Sequence, residues 1–304
     1  MSQTFPYAFI RGEITPIENA TVPIQCKAFQ YGLGCYTGMR AHWDGENLQL
    51  FRLEDHYKRL KNAAEKLNIY FPYDFPKFSE TLKNFIKKNE VKEDAYLRIN
   101  LYCASTQMTP RFNNPDDDLA IYLISLKDYF NSSQALNVRI SDYIRIDNDM
   151  IPIEAKSTGS YINSALAKTQ ALSEGYDECL FLNREGHVCE ASGANLFAIK
   201  NNTSTTPPLS DNILNGITRD TVITLLKNEL NIETQERTIL PNELTEFEEL
   251  FFTGTAAKIT SIASINKAPL KSSDTPTAQK LQSLLDNTFR NKLPQYSHWL
   301  TPVY

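Results

Sequence analysis

The sequence predicts an α+β chain of two domains, and three observations carry that prediction. Its 304 residues are enough for two ordinary cores. Stretches with a two-residue apolar period and stretches with a 3.6-residue period do not alternate regularly, as a βαβ chain would require. Periodicity stops over 129–137, Tyr-Phe-Asn-Ser-Ser-Gln-Ala-Leu-Asn, where small polar residues take over. The expected organisation is a small N-terminal domain over 1–128, an interdomain loop over 129–137 and a larger C-terminal domain over 138–304.

The first 50 residues read as strands. Ala8-Phe-Ile-Arg-Gly-Glu-Ile is a short hairpin, and Gly38 to Trp43 is a strand entering the tight turn Asp44-Gly45. A helix follows over 53–67, with apolar residues at 53, 57, 60, 64 and 67. A second helix covers 78–88. Strands at 95–104 and 119–127 flank a polar, Pro-containing loop, Thr109-Pro-Arg-Phe-Asn-Asn-Pro-Asp-Asp-Asp. The second half opens with alternation over 138–146 and a helix at 163–174. Strands at 178–182 and 187–190 are joined by the turn Asn183-Arg-Glu-Gly. Then come a strand at 195–200, a polar loop over 201–212, a helix at 218–230 and a strand ending near Leu240. A strand at 249–253 leads into the small-residue loop Thr253-Gly-Thr-Ala-Ala257, and a last helix lies at 276–292.

Composition narrows the function. A net charge of −5 gives no electrostatic reason to expect nucleic acid or an anionic membrane as partner. No run of about 18 apolar residues suggests a membrane span. The N-terminus lacks the basic-then-apolar pattern of an export signal, so the expected location is the cytoplasm. The five cysteines are scattered without metal-ligand or redox spacing and read as free thiols; the four histidines form no cluster, so no metal is expected.

Lys156 is the most informative residue. Alone, a lysine is usually a solvated surface charge. Here it follows an alternating stretch and precedes Gly159, which permits close approach of another group. Desolvation there would make its amine more nucleophilic. Gly216-Ile-Thr218-Arg-Asp opens an apolar helix, with Thr218 as N-cap. It reads either as an ordinary capped helix or as an anion site built from free helix-terminal amides. Thr253 to Ala257 is either a tight connection or a second cradle of amides and hydroxyls. Arg59 lies off the apolar stripe of its helix and is either a surface arginine or a phosphate clamp. Period two puts Tyr96 and Arg98 on one strand face, where an arginine suits a substrate carboxylate. In Tyr31-Gly-Leu-Gly-Cys-Tyr36-Thr-Gly38-Met-Arg40, glycines are interleaved with aromatic residues. A lysine, a carboxylate at Glu190 and two phosphate-sized cradles are what a protein needs to hold pyridoxal phosphate.

Seven stretches in order resemble the fold-type IV pyridoxal-phosphate enzymes and, within them, the branched-chain amino acid aminotransferases. They are Tyr31 to Arg40, Phe51 to Leu60, Ala95 to Arg98, Glu154-Ala-Lys-Ser-Thr-Gly-Ser-Tyr-Ile-Asn-Ser164, Cys189 to Phe197, Asn215 to Asp220 and Thr253 to Thr260. The resemblance implies a small α/β N-terminal domain, a C-terminal domain with a barrel-like core, and a homodimer. It implies that Lys156 is the catalytic, imine-forming lysine and that Glu190 pairs with the cofactor's ring nitrogen. By the same resemblance Tyr161 partners the phenolic oxygen, and Arg59, Ile217, Thr218 and Thr255 hold the phosphate. Tyr31, Tyr36, Arg40, Tyr96, Arg98, Tyr129, Thr255 and Ala256 would bind substrate, partly across subunits.

The departures fall in the pocket. Tyr36-Thr37-Gly38-Met39-Arg40 stands where branched-chain enzymes commonly show Phe-Glu-Gly-Ile-Arg. Ala194 stands where a glutamate is common, and Leu126 where a tryptophan is. The expected reaction is amino transfer from a hydrophobic, branched-chain-type L-amino acid to 2-oxoglutarate. Alternatives on the same fold are a D-amino acid or primary-amine transaminase and, further off, aminodeoxychorismate lyase.

Overall fold

The structure, a computed structural model, describes residues 4–112, 115–126, 135–270 and 275–304. The chain opens with β1 (Tyr7–Ile10), β2 (Glu13–Pro16), α1 (Lys27–Tyr31), β3 (Gly34–Trp43), β4 (Leu48–Phe51), α2 (Leu53–Leu67), α3 (Phe75–Lys88), β5 (Ala95–Cys103) and β6 (Asp117–Ser125). It continues through β7 (Leu136–Ile140), α4 (Tyr161–Ser173), β8 (Glu178–Leu182), β9 (Val188–Ala191), β10 (Asn195–Lys200), β11 (Thr203–Thr206), α5 (Ile217–Leu230) and β12 (Glu233–Glu236). The last elements are β13 (Glu249–Gly254), β14 (Lys258–Ile265), β15 (Ala268–Pro269), α6 (Pro276–Phe289) and β16 (Leu300–Pro302).

Two compact units result. One comprises Met1–Phe130, Glu154–Gly159 and Asn287–Tyr304; the other comprises Asn131–Ile153 and Ser160–Asp286. Two segments beyond the expected boundary at 128 thus pack with the N-terminal part: the short one carrying Lys156, and the chain's last residues. Residues 129–134 of the expected loop lie outside the described residues, and 136–137 already belong to β7.

The first unit is a seven-stranded sheet in the order β16-β4-β3-β5-β6-β1-β2. Period two divides its two faces. Ala95, Leu97, Ile99, Leu101 and Cys103 of β5 and Cys35, Met39 and Ala41 of β3 join the buried cluster under α2 and α3. Every apolar stripe position foreseen for α2 (Leu53, Tyr57, Leu60, Ala64, Leu67) is buried in that cluster. Asp74 starts α3 by accepting from the Lys77 amide at 2.9 Å. The alternate residues, Tyr36, Gly38, Arg40, Tyr96 and Arg98, lie on the opposite face, with Gly38 opposite Arg98 and Arg40 opposite Tyr96.

The second unit contains a nine-stranded sheet in the order β12-β11-β10-β13-β14-β7-β8-β9 with β15 on β14. β9 also pairs with β10, so β10, β13, β14, β7, β8 and β9 close into a ring. Val138, Leu180, Val188, Leu196, Leu250, Phe252 and Ile262 form one buried cluster. Cys179, Phe181 and Cys189 pack instead with Ala167 and Ala171 of α4. The expected barrel-like core is present.

Several boundaries differ from the sequence expectation. The strand expected to run to 146 ends at Ile140, because Ser141 and Asp142 turn the chain: the Ser141 hydroxyl accepts from the Tyr143 amide and Asp142 pairs with Arg139. The polar stretch 201–212 hides β11, whose residues Thr203–Thr206 are β-branched or small and mostly buried. The segment after Ala257 is the strand β14, so the small-residue loop is the tip of a hairpin. Among the described residues no helix is long and apolar enough to cross a membrane, and no group of three or more metal-ligating side chains gathers.

Candidate active site

Lys156 lies in a segment laid along the start of β3. The Tyr36 amide donates to the Lys156 carbonyl at 3.3 Å, Cys35 and Ser157 form an antiparallel bridge, and the Thr158 amide donates to the Gly34 carbonyl at 2.8 Å. Lys156 itself has φ +45°, a conformation costly for a residue with a Cβ. This backbone leaves its ammonium 5.0 Å from the centre of the Tyr36 ring.

The same ring carries Arg98 from β5, its guanidinium carbon 4.0 Å from the centroid, with Tyr96 at 5.6 Å. Burial works against the Arg98 charge, but Tyr96, Tyr36 and Tyr122 outweigh it and raise its pKa. Arg98 therefore stays a cation. Its Nε is buried without a hydrogen-bond partner among the described residues. Gly38 explains how Tyr96 reaches this position: a Cβ on Gly38 would overlap the Tyr96 hydroxyl. Arg40, beside them on β3, is buried. Tyr31 ends α1 and is 38% exposed.

On the opposite face of β3, Thr37 meets α2. Its hydroxyl lies 2.7 Å from Nδ1 of the buried His56 and 2.8 Å from Nη2 of Arg59. Burial, then the charges of Arg59, Arg52 and Lys156, push the His56 pKa well below its ordinary value.

In the second unit Glu190 is buried at the end of β9. Its carboxylate accepts from Arg145 Nη2 at 2.7 Å, Asn195 Nδ2 at 3.0 Å and the Leu214 amide at 3.2 Å. Asn195 Nδ2 also donates to the Leu214 carbonyl at 2.9 Å, which turns its amide oxygen toward Gly216. A Cβ on Gly216 would overlap that oxygen. Gly216, not Thr218, is the N-cap of α5, and no side chain caps it. Ile217 and Thr218 are the first residues of the helix, both buried. Tyr161 opens α4, and Thr255 and Ala256 form the β13–β14 hairpin tip. Tyr129 lies outside the described residues.

Arg145, Asn195, Leu214 and His56 were not foreseen as site residues, and Thr37, read as a pocket departure, meets His56 and Arg59 of α2. Arg145 was hidden by alternation that reads as strand, although its amide donates to the Leu182 carbonyl at 2.8 Å beyond the end of β7. Asn195 had a signal, since an amide at the start of a buried strand needs partners.

These residues fit pyridoxal phosphate. In the second unit the N-terminus of α5 suits a phosphate and the buried Glu190 carboxylate suits a ring N–H, and in the first unit Lys156 offers an amine; among the described residues the buried Nε atoms of Arg98 and Arg145 have no hydrogen-bond partner.

The model of the family described as Amino-transferase class IV matches residues 34–265. The chain belongs to this family. A probable branched-chain-amino-acid aminotransferase of Aquifex aeolicus is 40% identical over the whole chain and 98% of the relative. The solved branched-chain aminotransferase of Thermoproteus uzoniensis with norvaline has a TM-score of 0.93 at 35% identity, covering 99% of this chain and 100% of that one. The T.th. branched-chain enzyme complexed with N-(5'-phosphopyridoxyl)-L-glutamate has a TM-score of 0.92 at 30% identity, with 99% of each chain covered. The resemblance read from seven stretches thus holds at the level of family and fold, and this class IV chain is an aminotransferase.

Proposed function

We propose that the enzyme binds pyridoxal phosphate and transfers the amino group of a hydrophobic, branched-chain-type L-amino acid to 2-oxoglutarate. One observation carries the reading: the Lys156 ammonium and the Arg98 guanidinium share the Tyr36 ring. A nucleophilic amine and a carboxylate-binding cation on one small platform suit a substrate with an α-amino or α-keto centre and a distal carboxylate. The names of the relatives support the donor class, and the phosphopyridoxyl-L-glutamate in the complex of the T.th. enzyme supports cofactor and acceptor.

When bound, pyridoxal phosphate supplies an aldehyde and an electron-withdrawing ring. Lys156 would hold the cofactor through its amine and, when that amine is free, would carry the proton to and from the substrate α-carbon. Glu190, held by Arg145 and Asn195, would face the ring nitrogen. The α5 N-terminus at Ile217 and Thr218, with Thr255 and Arg59, would take the phosphate. Tyr161 would meet the phenolic oxygen, and Tyr31, Tyr36, Arg40, Tyr96, Tyr129 and Ala256 would line the substrate pocket. The same reading makes the enzyme a cytoplasmic homodimer.

The test is a donor panel of L-leucine, D-alanine and 1-phenylethylamine with 2-oxoglutarate. L-Leucine should dominate. Dominance by D-alanine or the amine replaces the donor class. Pyruvate release from aminodeoxychorismate with no keto-acid acceptor replaces transamination with elimination.

A further inference from the structure

Thr37 and His56 stand where β3 meets α2, and Arg59 fixes the direction of the hydrogen bond between them. Arg59 Nη2 only donates, and it lies 2.8 Å from Thr37 Oγ1 and 3.4 Å from His56 Nδ1. An Nδ1 that faces a guanidinium N–H is an acceptor. The ring is therefore neutral and carries its proton on Nε2, which agrees with its depressed pKa. The Thr37 hydroxyl then donates to Nδ1 at 2.7 Å and keeps its lone pairs for Arg59. Thr37 Oγ1 and His56 Nδ1 are neutral, so these two contacts orient the guanidinium without themselves cancelling its charge. Thr37 is fully buried and His56 nearly so, which keeps water from replacing either contact.

We propose that Thr37 and His56 are positioning residues that aim Arg59 at the cofactor's phosphate, through the one-way chain Arg59 N–H to Thr37 O–H to His56 Nδ1. The inference rests on the proposed cofactor reading. It predicts a defect specific to the phosphate ester, since pyridoxal lacks the group Arg59 would hold.

The test titrates the full chain, stripped of cofactor, with pyridoxal 5'-phosphate and separately with pyridoxal, following absorbance. Thr37→Val removes the hydroxyl and should weaken pyridoxal phosphate binding about 10- to 100-fold, the value of one hydrogen bond to a charged group. Pyridoxal binding should stay within about twofold of wild type. Thr37→Ser, which restores the hydroxyl, should recover most of the loss, and His56→Leu should reproduce it. Equal losses for both ligands, or no loss in Thr37→Val, would overturn the positioning role. Wild type that binds neither ligand would bring down the cofactor reading itself, and this inference with it. Thermal melts of the cofactor-free variants separate misfolding from misaiming: a variant that melts with wild type and loses only the phosphate ester supports the chain.

Discussion

The guanidinium of Arg98 stacks 4.0 Å from the centre of the Tyr36 ring, although the two residues are not paired opposite each other in the sheet. The direct partner of Arg98 is Gly38, whose missing side chain leaves the space that the phenolic end of Tyr96 fills, while Arg98 reaches along β3 onto Tyr36. Lys156 closes on the same ring at 5.0 Å from a segment outside the sheet's strand order. One aromatic side chain thereby fixes two cations.

Removing Arg98 should separate acceptors by charge. Arg98→Ala should raise KM for 2-oxoglutarate by about 10- to 100-fold, the value of a charge-assisted pair, with a much smaller effect on 4-methyl-2-oxopentanoate. Steady-state kinetics with both keto acids reads the difference. Equal losses would mean that Arg98 only supports Tyr36 and binds no distal carboxylate.

Lys156→Ala should abolish the absorption band formed when pyridoxal phosphate is added to the protein, and turnover with it. Its fold should survive, because backbone contacts that do not depend on the side chain at 156 hold the segment: the Tyr36 amide to the Lys156 carbonyl and the Thr158 amide to the Gly34 carbonyl. Absorbance and circular dichroism of the same sample distinguish loss of the amine from loss of structure. A variant that turns over at the normal rate would end the assignment.

Gly38→Ala should displace Tyr96. The new Cβ would overlap the phenolic end of Tyr96, a side chain that can swing, so the cost should appear in the site more than in the core. Activity should fall well over tenfold while the melting temperature drops by a few degrees. The double variant Gly38→Ala/Tyr96→Ala should recover the melting temperature but not the activity. A double variant no more stable than the single one would place the clash elsewhere.

How much of this was legible in the sequence depended on whether periodicity and burial agreed. α2 was readable because each apolar stripe residue is a core residue. β8 was foreseen over its observed span, Glu178–Leu182, since turn signals bound it. β11 was not, because Thr203–Thr206 is buried yet polar, and hydropathy cannot see a strand paired through its backbone on both sides. The Lys156 and Glu190 motifs were legible as chemistry, but Arg145 and Asn195 on Glu190 were not. Their roles come from a chain turn at Ser141 and a strand bridge between Asn195 and Glu190, neither of which leaves a spacing signature.

All five cysteines should resist thiol reagents in the folded protein. Each is buried and none is disulfide-bonded. Burial pushes the thiols of Cys35, Cys103 and Cys179 up to about 12, leaving almost no thiolate at pH 8. Dithiobis(nitrobenzoate) should release no equivalents from native protein over minutes and five from denatured protein. A rapidly reacting native thiol would show that one of these sites opens.

Stability should fall as pH drops below about 6.5, and His56 should be a principal cause. Burial and the neighbouring charges of Arg59, Arg52 and Lys156 depress its pKa in the folded state. The unfolded chain, with an ordinary histidine near 6.5, then takes up a proton that the folded protein refuses. The contribution is complete above that pH and is lost progressively below it, by at most about 1.4 kcal/mol at pH 5.5 for one histidine. Asp94 does not confuse this window. Burial favours its acid form, but hydrogen bonds from His42, Trp43 and Arg290 outweigh it and hold its carboxyl below the usual carboxylate range, so its own loss comes at lower pH. Urea midpoints at pH 7.5 and 5.5, at fixed cofactor concentration, should show the drop in wild type. His56→Gln should lower stability at pH 7.5 yet lose less between the two pH values, by up to about 1.4 kcal/mol. An unchanged slope in that variant would mean that His56 protonates within the folded protein, and its neutral, acceptor-only role toward Thr37 and Arg59 would fall with it.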